Sequence, residues 1–305
     1  MNTDKKFFRI RVYPCPSVVK FFALLIACST LHAASKSIIL IAGKPSHGPG
    51  EHEFRAGSLL LQKCLDQVPG ISSVVYPNGW PNVEGAFDKA NAVLLYADGG
   101  AGHPAIQGEH MKIIDGLANK GVGIGCAHYA VEVPKGEPGE AMHRWIGGYY
   151  ENMYSVNPMW SPEYKSFPEH PVTRGVQPFS VRDEWYFNIR WPSDMKGITP
   201  ILVAKPSDQV RKGPYVYPAG PYPHIVEAAG RDETMMWVYE RPDGGRSFGF
   251  TGGHRHVNWG NENFRKVVLN ALLWIAKADV PEGGMKCSIS EEDLNANLDS
   301  KQKKK

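Results

Sequence analysis

The chain has 305 residues, 42% apolar and 21% charged, a balance that supports a full hydrophobic core and excludes a disordered or fibrous protein. Its formal charge is +3, but residues 1–34 hold five Lys/Arg and one Asp, and without them the charge is −1. The remainder therefore offers no electrostatic reason to expect nucleic acid or an anionic membrane as a partner.

Residues 1–34 read as an export signal. Lys5, Lys6, Arg9, Arg11 and Lys20 precede an apolar run over 21–27, and small residues follow at Ala33 and Ala34. The run is too short to span a bilayer, so no transmembrane segment is expected. Leu25-Ile26-Ala27-Cys28 has the form of a lipobox, which would place a lipid anchor on Cys28; the rival cut, after Ala33, would release a soluble protein. The expected location is outside the cytoplasm, periplasmic or lipid-anchored to the cell envelope. Cys64, Cys126 and Cys287 remain after that segment, with no CxxC pair. This excludes a disulfide scaffold and a thiolate zinc site. One bridge can form, but the spacing does not say which.

Residues 37–43 are an uninterrupted apolar run ending in glycine, the pattern of a parallel strand buried on both faces. A loop with His47 and His52 follows, then a helix over about 53–67. Residues 74–76 and 92–97 read as strands, the second ended by Asp98-Gly99-Gly100. A helix over about 104–119 leads to a strand at 122–126. Alternating units of this size imply a doubly wound α/β sheet. From 149 to about 222 the chain loosens into aromatic, proline-rich segments with short strands at 179–181 and 201–204. Residues 234–239 and 246–250 then form a hairpin around Pro242-Asp243-Gly244-Gly245, and a helix follows Asn261. The main domain is expected over 35–280, and 281–305 as a tail that wraps or hangs, partly disordered.

The residues after the strands carry the chemistry: His47 and His52 after the first, Asp98 and His103 after the third, Cys126 and His128 after the fourth, His254 and His256 after the last. The C-terminal ends of parallel strands share one side of the sheet, so these positions predict one crevice lined by imidazole and carboxylate. Any of these histidines alone is more often a satisfied structural residue. Their recurrence after four strands is what points to a site. Such a cluster can ligate a divalent metal or perform general acid/base catalysis. Cys126 sits where a nucleophile elbow could form, which would suit a thiol-dependent amidotransferase or peptidase. The elbow, however, needs small residues two before and two after the nucleophile, and Ile124 and His128 occupy those places. A buried, inert thiol fits better. In Asp183-Glu184-Trp185-Tyr186, alternation aims Glu184 and Tyr186 one way and Asp183 and Trp185 the other. Trp259, between Asn258 and Gly260 in a turn, is the tryptophan with the weakest packing rationale.

Cys126-Ala127-His128-Tyr129-Ala130-Val131-Glu132-Val133-Pro134, Trp145-Ile146-Gly147-Gly148-Tyr149, Glu169-His170-Pro171-Val172-Thr173-Arg174-Gly175, Asp183-Glu184-Trp185-Tyr186 and the Gly252-Gly253-His254 turn, in this order, resemble the ThuA-like (trehalose utilisation) family. That family lies within the class I glutamine amidotransferase-like superfamily, and the resemblance is greatest to exported, planctomycete-type members. It implies a flavodoxin-like, mostly parallel sheet with long irregular insertions, generally without the amidotransferase triad. It also implies work on 3-keto-sugars or 3-keto-glycosides, by elimination, hydrolysis or isomerisation through removal of the C2 proton. By this reading His128, Glu184 and His254 are catalytic, while Asp98, Tyr129, Trp185, Tyr186, His256, Asn258 and Trp259 contact substrate. A divalent metal, zinc foremost, would draw on His47, His52, His128 and His254, and no nucleotide is implied. The partner is then a small carbohydrate. The other reading from the same residues is a carbohydrate-binding protein that turns nothing over.

Overall fold

A computed structural model of the chain describes Met1 and residues 35–302; the expected export segment and Cys28 lie outside the described residues. The first apolar run is strand β1 (Lys36–Ala42). Its even positions Ile38 and Leu40 enter one core cluster and its odd positions Ile39 and Ile41 the other, as a strand covered on both faces requires. Helix α1 (Phe54–Leu65), β2 (Ile71–Tyr76), β3 (Ala90–Tyr96), helix α2 (His110–Asn119) and β4 (Gly123–Ala127) follow in alternation. Helix α3 (Glu137–Ile146), a two-stranded pair of β5 (Met159–Trp160) and β6 (Asp183–Glu184), β7 (Ile198–Ala204), and short helices α4 (Asp208–Lys212) and α5 (Pro223–Glu227) make up the long insertion. The chain then returns through β8 (Glu233–Glu240), β9 (Arg246–Phe250), α6 (Glu262–Ile275) and α7 (Glu291–Asn295).

The seven-stranded sheet has the order β2-β1-β3-β4-β9-β8-β7. Its first five strands are parallel, in the flavodoxin-like order 2-1-3-4-5, and β8 and β7 extend it antiparallel. The C-terminal ends of β1, β3, β4 and β9 therefore open on one edge. Helices α1 and α6 cover one face through Leu61, Val267, Val268 and Leu272; α2 and α3 cover the other through Ile114, Met142 and Trp145. Among the described residues no helix is long and apolar enough to cross a membrane.

Several local expectations are corrected. The helix expected from 104 begins only at His110, because Pro104–Ile106 is a single 3-10 turn and Gly108 at φ 50 breaks the path. No strand forms at 179–181; Phe179 makes one bridge to Tyr164, and pairing starts at Asp183. Helix α3 escapes the periodicity because its first turn contains Pro138 and Gly139, and Gly139 is required there: a Cβ would stand 2.5 Å from the Tyr149 ring. Of the two courses open to the segment after 280, residues 281–302 take the wrapping one. Cys287 is bonded to Cys64 of α1, Ser290 and Asp293 form a capping box on α7, and Asp299 pairs with Arg55.

Candidate active site

Four side chains from four separate segments meet at the open sheet edge. His52 Nε2 lies 3.0 Å from His128 Nε2 and 3.0 Å from His254 Nδ1, and His254 Nδ1 lies 2.7 Å from Glu184 Oε2. All four residues are buried; His52 and Glu184 line a cavity of about 610 Å³, and His128 and His254 are in contact with these two without lining it. That volume is in the range of small-molecule sites.

Each arrives by a local device. β4 ends at Ala127, and His128 takes φ 53 at the head of a 3-10 turn, His128–Val131. A strained residue between strand and helical turn, with small residues two before (Cys126) and two after (Ala130), is the elbow geometry. The elbow exists, but its tip is His128, two residues past the cysteine. Cys126 itself is enclosed in the apolar face beneath, and burial pushes its thiol far up, so no thiolate reaches the cavity. His47 and His52 also have positive φ, 59 and 47, on the loop after β1. Left-handed backbone at a non-glycine residue costs on the order of 1–3 kcal/mol and persists only where surroundings hold it. Here His52 N–H donates to His254 O at 2.9 Å, and its carbonyl accepts from Lys301 Nζ at 3.1 Å. The His254 turn is fixed by Asp183, whose carboxylate accepts the N–H groups of Gly253 (2.7 Å) and Arg255 (3.0 Å). Tyr96 OH donates to Gly253 O at 2.5 Å, and Gly252 packs on the Trp185 ring so closely that a Cβ would stand 2.6 Å from it.

The hydrogen bonds behind the cluster set its electrostatics. Asp98 Oδ1 stands 2.9 Å from His52 Nδ1 and accepts from Ser46 Oγ, so His52 Nδ1 is the protonated nitrogen. Thr251 O accepts from His128 Nδ1 at 3.1 Å, which fixes that ring likewise. Both rings thus aim Nε2 lone pairs at each other across 3.0 Å, an arrangement that repels unless a cation or a proton is shared between them. Carboxylate and carbonyl acceptors behind metal-binding imidazoles do this work in metal centres generally. Burial, then the neighbouring imidazoles, hold His52 and His128 far below the ordinary histidine range. His254 moves the other way: burial opposes its charge, but the bond to Glu184 and the charges of Glu184, Asp183 and Glu51 prevail and raise it. Burial raises Glu184 despite His254, and raises Asp98 despite Ser46. Three imidazole nitrogens and one carboxylate oxygen, all within 4.8 Å of one another, fit a divalent cation that accepts mixed nitrogen and oxygen donors. His52 also joins His47 and Asp98 in a second, more exposed group.

The remaining expected contacts divide. Tyr129 and Tyr186 line the cavity, and Tyr186 OH lies 3.3 Å from His128 Nε2, while Asp98 stands behind His52. The alternation at 183–186 sends Glu184 and Tyr186 to the cavity and Asp183 and Trp185 away from it. Trp185 is consequently not a cavity residue; it is fully buried against Tyr164, Phe250 and Phe264. Trp259 is buried too, packed on Phe264 with its N–H toward Tyr96 OH. Asn258 donates to Arg182 O, and His256 Nε2 binds Leu294 O of the C-terminal segment; neither lines the cavity. His103 is also structural, its ring nitrogens bonded to Ala130 O and Ala105 N. In these cases the strand end is right, but the side chain faces inward or backward.

Glu132, Asn157, Val216 and Tyr217, which no sequence pattern marks, also line the cavity. Glu132 lies four residues after His128, where no periodicity marks it. Its carboxyl is pushed up to about 8 by burial and by Glu184, and its charge adds to the burial that raises the Tyr129, Tyr150 and Tyr186 phenols. Asn157 Nδ2 donates to Glu184 Oε1 at 2.7 Å.

The family model described as ThuA, trehalose utilisation, matches residues 88–275. A ThuA-like protein from Bacteroides uniformis ATCC 8492 aligns over 80% of this chain and 92% of its own, at 16% identity and a TM-score of 0.56. Another from Parabacteroides merdae ATCC 43184 aligns over 85% and 94%, at 14% identity and a TM-score of 0.53. At such identity the likeness concerns the fold. No curated protein matches the chain.

Proposed function

Since the chain belongs to the ThuA (trehalose utilisation) family, we propose that it is an exported carbohydrate-processing enzyme that cleaves 3-keto-glycosides by removing the proton at C2. The observation that carries this reading is the convergence of three imidazole nitrogens and the Glu184 carboxylate beside a cavity that His52 and Glu184 line. A carbonyl at C3 acidifies the C2 proton, so cleavage needs a base, a stabiliser for the enolate oxygen and a proton for the departing oxygen at C1.

Glu184 is the base: Asn157 holds Oε1, and Oε2 is left to take the proton when His254 Nδ1 serves a cation. It takes the C2 proton, and the electron pair left behind forms the enolate. That pair then returns to expel the C1 substituent, and the departing oxygen takes the proton of Glu132, which the raised pKa keeps protonated at neutral pH. The carbon product is an enone open to addition of water. His52, His128 and His254 would hold a divalent cation, zinc by donor type, which supplies Lewis-acid polarisation of the C3 carbonyl. Tyr186 adds a hydroxyl donor on the same side. The Cys64–Cys287 disulfide supports the exported assignment, since such bonds persist in oxidising compartments.

The test is turnover of a 3-keto-glycoside by the purified protein, followed by the His128→Ala and His254→Ala variants. The proposal expects release of the aglycone, lost in both variants. Equal turnover in wild type and variants would refute the assigned roles.

A further inference from the structure

Residues 213–222, between α4 and α5, form one rim of the cavity and are stiff by composition, with Pro214, Pro218 and Pro221 among them. Tyr215 turns inward: its N–H donates to Ala219 O at 3.0 Å, its hydroxyl donates to Arg211 O, and its ring packs on Tyr222. Gly220 lies so close over that ring that a Cβ would come within 2.3 Å. Two bonds then tie the loop to the reaction side. Val216 N–H donates to Asn157 O and Tyr217 N–H to Asn157 Oδ1, each at 3.2 Å, and the same Asn157 side chain holds Glu184.

What this rigid loop displays is apolar. Val216 is 49% and Tyr217 72% exposed, and both line the cavity. Exposed aromatics are ordinarily mobile, but this backbone is pinned at three points, so little further ordering is needed when a ligand covers the ring. The cavity, at about 610 Å³, is larger than a single hexose ring fills. A ring reacting at Glu184 leaves the mouth, where Tyr217 stands, for whatever is attached at C1. The pairing of a flat apolar surface with a carboxylate-rich wall matches the C–H face and the hydroxyl rim of a second pyranose.

We infer that Tyr217, with Val216, is the platform for the sugar ring on the leaving-group side, and that it sets a preference for two-ring over one-ring substrates. This deepens the glycoside reading above and rests on it. The test compares a 3-keto-disaccharide with the corresponding 3-keto methyl glycoside in wild type, Tyr217→Ala and Tyr217→Phe, alongside calorimetric binding of the unoxidised disaccharide. The expected result is that Tyr217→Ala lowers the two-ring to one-ring ratio of kcat/KM about tenfold and weakens disaccharide binding by a similar factor, with Tyr217→Phe restoring both. If wild type turns over both substrates but neither ratio nor binding changes in Tyr217→Ala, the platform is wrong and the reaction stands. If wild type turns over neither, yet binds the disaccharide in a Tyr217-dependent way, the platform stands and the reaction falls. Absence of both binding and turnover overturns both.

Discussion

Replacing Lys301 with methionine tests what holds the strained loop that carries His47 and His52. The Lys301 ammonium is almost inaccessible, 3.2 Å from Glu53 Oε1 and 3.8 Å from Asp299 Oδ2, and it donates to the carbonyl oxygens of Glu51 and His52. Methionine keeps most of the stem's volume and removes the charge, leaving two buried carboxylates without their cation and two carbonyls without a donor. One-sided removal of a buried ion pair costs about 3–5 kcal/mol. The lower end applies, because Glu53 keeps the N–H groups of Gly50 and Asp299, and Asp299 keeps Arg55. About 3 kcal/mol at roughly 2–4 °C per kcal/mol lowers Tm by about 6–12 °C in a domain of this size. Scanning calorimetry reads the shift directly. Dication affinity at a temperature well below melting should fall as well, because the His52 carbonyl loses an anchor, and Lys301→Arg should recover much of both. A Tm change under about 2 °C with unaltered affinity would mean that Lys301 does not hold the loop.

Cys64→Ser or Cys287→Ser opens a link across 223 residues and should cost about 2–4 kcal/mol, read as a lower guanidinium midpoint that dithiothreitol reproduces in wild type; an unchanged midpoint would mean the bridge is dispensable. Glu132, with its carboxyl pushed up to about 8, is protonated at neutral pH and loses its proton as pH rises through that value. The rate should therefore decline on the alkaline side, at or below about 8 with a dication bound nearby. Glu132→Gln should lower kcat about 10²–10⁴-fold and abolish that limb; a limb that survives in the variant assigns the proton to another group.

The sheet was legible because burial on both faces leaves unbroken apolar runs, as at 37–43 and 92–97, and because β8 and β9 flank a turn rich in Asp and Gly. The convergence of His52, His128 and His254 followed from the same topology, since parallel strands must end on one edge. What topology does not specify is which way a side chain leaves its turn. Trp185, Trp259, His256 and Asn258 all lie near the right edge, yet they pack into the core or against Leu294 and Arg182. Glu132, Asn157 and Tyr217 are the opposite case: they reach the cavity from irregular segments, where no period reports direction. Helix α3 was hidden by the proline and glycine that its own packing requires. The fastening of residues 281–302 depends on a disulfide partner and a lysine contact that no local pattern encodes.

Metal content and calorimetric titration of the purified protein with zinc, set beside His128→Ala and His52→Ala, show whether the imidazole cluster is a metal centre. Convergent Nε2 lone pairs, oriented by Asp98 and Thr251, predict one tightly held dication per chain in the wild type and a loss of at least tenfold in affinity in each variant. Wild-type protein that takes up no dication, or variants that bind one as tightly as wild type, would contradict it.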